Sequence, residues 1–184
     1  MKWWLDDLMG HPVRTAYWSV RIAQRLGWSW LSGLCLFLGA LLHDIGKLRL
    51  PARLLHKPGH LESHEREVMR RHTQCAYAWL SFTPGTVRRV IRCHHESWDG
   101  SGYPHALKDS QIPLCARIVA VADVYDALTS PRPYKAAWRP EQAVAHILAA
   151  RGRQFDPRIV TVFVALVRER LARAGRLPVG ELSC

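Results

Sequence analysis

The stretch Leu34-Cys35-Leu36-Phe37-Leu38-Gly39-Ala40-Leu41-Leu42-His43-Asp44-Ile45-Gly46-Lys47 decides how this chain is read. From Leu31 to Leu42 it is apolar on all sides, the pattern of a central buried helix. That helix runs into an imidazole and a carboxylate side by side, His43 and Asp44, with the ammonium of Lys47 three residues later. Burying an unsatisfied polar group costs on the order of 1–3 kcal/mol, and burying a charge costs more. Something must compensate the pair, and a metal ion does so with the fewest groups.

The pattern on either side is helical as well. Val13, Tyr17, Val20, Ala23 and Gln24 recur near helical spacing, and Gly27 is placed to end that segment. Pro51 stops the region after Lys47, and a further helix starts near Ser63 and carries His72 inward. Val87, Val90, Ile91 and His94 follow i, i+3, i+4, i+7, so His94 continues an apolar stripe. Two glycines and a proline make 99–104 a loop. Ala116, Val119, Ala120 and Asp123 repeat the theme of an apolar stripe ending on a carboxylate. Pro140 suits the first turn of another helix, closed by Gly152; Asp156-Pro157 starts the last long helix and Gly175 closes it. With no strand pattern, repeat or long linker, the expectation is one all-α domain over 1–184, a compact bundle of about seven helices.

Composition narrows the partners. The net charge of +11, from 26 Lys and Arg against 15 Asp and Glu, suggests an anionic partner: a nucleotide, nucleic acid or membrane surface. Arg151, Arg153, Arg158, Arg168, Arg170, Arg173 and Arg176 crowd the end of the chain, and read first as a solvated helix face. Charge therefore favours a phosphate substrate without identifying it, and a nucleic-acid role would rest on charge alone. Five cysteines without a CxxC pair fit reduced thiols in a cytoplasmic protein. Cys93, although next to His94, reads as a core thiol. The apolar run Leu34–Leu42 is far short of the roughly 20 residues that span a bilayer. Asp6 and Asp7 interrupt the N-terminal segment before a signal-peptide core can form. No membrane insertion is expected.

A second run, His94-His95-Glu96-Ser97-Trp98-Asp99-Gly100-Ser101-Gly102-Tyr103-Pro104, again groups imidazoles with carboxylates. The candidate metal ligands are His11, His43, Asp44, His72, His94, His95 and Asp123, most of them on or at the end of an apolar helical face. Nitrogen mixed with anionic oxygen suits iron, manganese or zinc rather than calcium. Neighbouring residues on a helix diverge by about 100°. His94 and His95 would then address different metals, or one would ligate while the other touches substrate. Lys47 shares a face with His43 and Asp44 by its i+4 and i+3 spacing. Glu96 and Asp99 either orient ligands and loop amides or cap their own turn. The residues together read as a metal-dependent hydrolase.

Over about 7–164 these motifs resemble the HD-GYP family of the HD phosphohydrolase superfamily. The resemblance is carried by His43-Asp44-Ile45-Gly46-Lys47 with Pro51 and Lys57-Pro58-Gly59, and by an HHExxDGxGYP signature complete from His94 to Pro104. Ile112-Pro113, Ala116-Arg117, the run from Ala122 to Ser130, Arg132-Pro133-Tyr134-Lys135 and Phe155-Asp156-Pro157 follow in order. The resemblance implies an HD-type helical bundle with a bi- or trinuclear centre, usually iron or manganese, that hydrolyses cyclic di-GMP to pGpG and onward to GMP. Asp44 would bridge two metals, with His11, His43 and Asp123 completing one side and His72, His94 and His95 the other. Lys47 would touch the bridging hydroxide or a phosphate, and Arg132 and Lys135 match residues that contact phosphates. Tyr103, in the Gly102-Tyr103-Pro104 loop, would lie beside the substrate. That loop would either shape the site or dock signalling proteins such as a diguanylate cyclase, and a homodimer is compatible with the reading.

The chemistry implied is a response to charge. A phosphodiester repels hydroxide, and two metals about 3.5–4 Å apart neutralise it while lowering the pKa of water from 15.7 to about 7. One departure from the family pattern stands out. Some relatives place a glutamate four residues before the first histidine, where it supports a third metal; this chain has Asp7. His60 and His64 fall outside the ligand pattern and read as surface residues. Ten residues precede His11, too few for the receiver or sensor domain often joined to this family. Two other readings compete: a catalytically weak cyclic-dinucleotide receptor or interaction module, and a phosphohydrolase of another cyclic dinucleotide or a nucleoside monophosphate. The GYP motif disfavours the monophosphate.

Overall fold

The computed structural model describes residues 10–55, 57, 59–131 and 136–175. Asp7, Arg132 and Lys135 lie outside the described residues, as does 176–184. Helix α1 (His11–Arg25) starts with Pro12 in its first turn and ends before Gly27, whose φ of +78° turns the chain back. Helix α2 (Trp30–Leu42) begins on Ser29, whose side chain accepts a bond from the Ser32 amide. A 3-10 turn (Ile45–Arg49) and the single turn α3 (Ala52–Leu55) follow. Next come α4 (Ser63–Arg70), α5 (His72–Trp79) and α6 (Gly85–Cys93). A second 3-10 turn (Asp109–Gln111) precedes α7 (Leu114–Thr129), α8 (Pro140–Ala149) and α9 (Pro157–Arg173), the last capped by Asp156, which accepts from the Arg158 amide.

The described residues are thus helical, as expected, with only an isolated bridge between Arg151 and Phe155. Two features raise the helix count above seven. Ala52–Leu55 makes a turn of its own, and the helix beginning at Ser63 breaks at Arg71. The break sets the His72 carbonyl against Gly46, where any Cβ would overlap it. Only glycine lets the turn after Asp44 come this close.

The centre of the fold is α7, not α2. Ile118, Val119, Val121 and Ala122 on α7 are fully buried, packed with Ile22, Leu36, Val90, Ile147, Val160 and Phe163 from the surrounding helices. Trp18, Tyr125 and Phe163 meet edge to face with centroids 4.9–5.4 Å apart. Helix α2 packs between α1 and α6 and buries one large residue, Leu36, with three small ones: Gly33, Gly39 and Ala40. A Cβ on Gly39 would lie 3.1 Å from the Val90 side chain, so α6 sits close. Four of its large residues face outward, with Trp30 80%, Leu31 59%, Leu34 43% and Leu38 38% exposed. The expectation of a central buried helix over Leu31–Leu42 is therefore corrected: its apolar content is real, but among the described residues only one side of it is covered. The run Trp30–Arg49, 20 residues long, meets the length and composition of a membrane span, with a third of it buried in the fold.

Candidate metal centre

Helix ends assemble the site. His43 caps α2 and Asp44 opens the following 3-10 turn, while His72 begins α5 and His94 follows the last turn of α6. His11 begins α1, and Asp123 projects from the middle of α7. Asp44 Oδ1 lies 3.3 Å from His72 Nε2 and 3.9 Å from His94 Nε2; its Oδ2 lies 3.3 Å from His43 Nε2. Asp123 Oδ1 lies 3.2 Å from His11 Nε2 and 3.9 Å from His43 Nε2. Two groups of donor atoms result, Asp44-His72-His94-His95 and His11-His43-Asp123, each within 4.8 Å of one another. Asp44 faces both.

Hydrogen bonding fixes what the rings offer. His43 Nδ1 donates to the Ala40 carbonyl at 2.7 Å, His72 Nδ1 to Met69 at 2.8 Å, and His94 Nδ1 to Val90 and Ile91 at 3.1 Å. A carbonyl only accepts, so each Nδ1 carries the proton. In the neutral ring Nε2 is then a bare lone pair, and it points inward. His43 Nε2, His72 Nε2, His94 Nε2 and Asp44 Oδ1 are buried without a hydrogen-bond partner. Lone pairs converging on a carboxylate repel one another, and buried polar groups left this way are rare in native folds. One divalent cation in each group would satisfy all four, so the donor set fits metal ions. The structure itself contains no ion.

Protonation divides the two groups. Burial lowers His72 and takes His94 well below its usual range, and pushes His95 down to about 4. All three are neutral at pH 7, the form that binds a cation. His11 and His43 go the other way despite burial. Asp123 and Asp126 outweigh it to raise His11 to about 9, and Asp44 and Asp123 raise His43. Burial alone would raise both carboxylates. Lys47 and His43 instead hold Asp44 well below the usual range, and His11 and His43 hold Asp123 there. Lys47 Nζ lies 2.6 Å from Asp44 Oδ2.

Divergence on a helix suggested that His94 and His95 address different metals, or one a metal and the other substrate; their ring nitrogens instead fall in one donor group, around His72. They follow Cys93, the last residue of α6, and their ring centroids are 4.0 Å apart. The loop that follows is tied down from inside. Glu96, 4% exposed, accepts from the amides of His105 and Leu107 at 2.8 and 3.1 Å. A Cβ on Gly102 would overlap the backbone of Glu96 and Ser97. Tyr103, whose amide donates to the His95 carbonyl at 3.1 Å, stacks its ring on His95 with centroids 4.8 Å apart. Glu96 thus holds loop amides, whereas Asp99 caps its own turn by accepting from Ser101. Cys93 is a buried thiol whose pKa burial pushes up to about 11, and His60 and His64 are exposed.

One residue escaped the sequence reading. Asp126, 2% exposed, accepts from His11 Nδ1 at 2.8 Å and is gripped by Arg14 Nε at 2.6 Å. A carboxylate behind a ligating imidazole fixes its tautomer and raises its basicity. Its signal was present as the i+3 partner of Asp123 on α7.

The HD-domain family model matches residues 5–159. This chain belongs to the HD-domain family. It is 47% identical, over 81% of its length and 40% of the relative's, to the cyclic di-GMP phosphodiesterase response regulator RpfG of Xanthomonas campestris pv. campestris. It is 36% identical to the 3'3'-cGAMP-specific phosphodiesterase 2 of Vibrio cholerae, over 91% of this chain and 33% of that one. The chain therefore spans well under half the length of these curated relatives. The solved structure of Bd1817, an HDG"Y"P protein from Bdellovibrio bacteriovorus, aligns with a TM-score of 0.72 at 21% identity, over 88% of this chain and 52% of that one, which supports the fold. Family and donor set agree on divalent-metal binding.

Proposed function

We propose that this chain is a metal-dependent phosphodiesterase that hydrolyses cyclic di-GMP to pGpG and, in a second cut, to GMP. Asp44 carries the reading: its two carboxylate oxygens face two separate sets of inward-pointing donors. His72, His94 and His95 would hold one ion and His11, His43 and Asp123 the other, with Asp44 shared. The nitrogen–oxygen mixture favours iron or manganese, and a third ion would call on Asp7. Bound ions would neutralise the phosphodiester and lower the pKa of water to about 7.

The chain's own groups do the rest. Lys47 sets an ammonium beside Asp44 where the phosphate's charge would lie. The Tyr103 ring, stacked on His95, walls the substrate side of that ligand and touches the substrate. Arg132 and Lys135 complete the phosphate contacts in this reading. The outward residues of the GYP loop, Ser101 and His105, are exposed and support docking of a signalling protein such as a diguanylate cyclase. Thiols that are free among the described residues support a cytoplasmic location.

The test is turnover of cyclic di-GMP, with 3'3'-cGAMP in parallel, by protein purified anaerobically and assayed for iron and manganese. Conversion to pGpG or GMP should track metal content and vanish in Asp44→Asn. Faster cleavage of 3'3'-cGAMP would replace the substrate. Binding without turnover in fully metallated protein would make the chain a receptor.

A further inference from the structure

We propose that Arg70 binds the phosphodiester that is not being cut, from a perch on the Tyr103 ring; this rests on the phosphodiesterase reading above. Arg70 ends α4, two residues before His72, and is exposed. Its guanidinium carbon lies 4.9 Å from the Tyr103 ring centroid, a cation–π distance. Tyr103 in turn stacks on His95. Arg70, Tyr103 and His95 therefore form one run of contacts that joins a cation to a candidate metal ligand.

Among the described residues three other arginines sit over rings, none of them over a ring stacked on a candidate ligand; Arg170 lies over Tyr17 and Trp18, between α9 and α1. Arg117 stands over Trp98 and pairs with Asp156 at 2.7 Å, which ties Trp98 to the start of α9. Arg92 stands over Tyr77 and donates to His105 at 2.6 Å. Among the described residues no carboxylate lies within ion-pair distance of Arg70, and its side chain is exposed. The loop that carries Tyr103 is held as well: Glu96 pins its amides and Gly102 packs against the backbone beneath them. A guanidinium held on a ring loses less freedom when it binds than a free side chain does, and its planar fork matches phosphate oxygens.

A cyclic dinucleotide carries two phosphodiesters on one ring. Lys47 stands at Asp44, where the cut phosphate would lie, and Arg70 stands on Tyr103, the ring stacked on His95. On this assignment the two cations address different phosphates. A substrate with a single phosphodiester would engage only Lys47.

The experiment compares wild type, Arg70→Gln and Arg70→Lys on cyclic di-GMP and on bis(p-nitrophenyl) phosphate, with metal content measured for each. Arg70→Gln should raise KM for cyclic di-GMP about tenfold or more with kcat within about twofold, the loss expected of one charge-assisted contact. Metal content and cleavage of bis(p-nitrophenyl) phosphate should stay at wild-type values. Arg70→Lys should fall between, since it keeps the charge and loses the fork. An unchanged KM for cyclic di-GMP in Arg70→Gln overturns the assignment, as does an equal loss on both substrates or a fall in metal content. If wild-type protein neither binds nor cleaves cyclic di-GMP, the phosphodiesterase reading fails and takes this one with it.

Discussion

Helix α7 fully buries Ile118, Val119, Val121 and Ala122 and presents Asp123 from its middle, whereas α2 buries Gly33, Leu36, Gly39 and Ala40 and delivers Asp44 just past its end. Both helices read as apolar in sequence, and both bring a carboxylate to the same site. They differ in which side chains face inward. On α7 the branched residues point into the core. On α2 three small ones do, beside Leu36, so α6 comes close at Gly39 while Trp30 and Leu31 face outward. Apolar content says that a helix seeks cover, and the placement of its small residues says which side receives it.

The sharpest way to separate the two helices acts on chemistry rather than stability. Asp44→Asn should cut turnover of cyclic di-GMP roughly a thousandfold, the several kcal/mol of transition-state charge stabilisation a metal supplies at 1.36 kcal/mol per tenfold. Bound metal should fall with it, read by elemental analysis, while the melting temperature holds. A thousandfold loss with full metal occupancy would give Asp44 a role other than ligation.

Ile118→Ala on α7 should cost about 2–5 kcal/mol in urea unfolding, the usual range for truncating a buried branched residue. Asp126→Asn tests how far α7 reaches behind its own ligand. It should lower metal affinity or activity about 10- to 100-fold through His11, leaving the fold intact by circular dichroism. The smallest change expected is at Leu31→Ser on the outer face of α2, within about 0.5 kcal/mol. A cost there like that of Ile118→Ala would break the contrast and mean that another surface covers α2.

Much of the site was legible because its residues mark their own helices. His43, Asp44, His94 and Asp123 each end or continue an apolar stripe, and the structure draws them with His11, His72 and His95 into two adjoining groups. Other features were not legible. The grouping of His94 and His95 with His72 depends on segments brought together across the fold. The choice between Glu96 and Asp99 as the residue holding the loop depends on which amides come within reach. Asp126 and Arg70 depend on α1 and the GYP loop folding back over distant segments.

The sequence by itself determined an all-helical chain, the residues that offer ligand atoms, and the loop beside them, because periodicity and turn chemistry act over a few residues. The tertiary structure decided which helix lies at the centre, which nitrogen of each imidazole turns inward, and which cations stand over aromatic rings. Those follow from side-chain volume and from carbonyls, carboxylates and rings brought together across the fold, and spacing along the chain does not encode them.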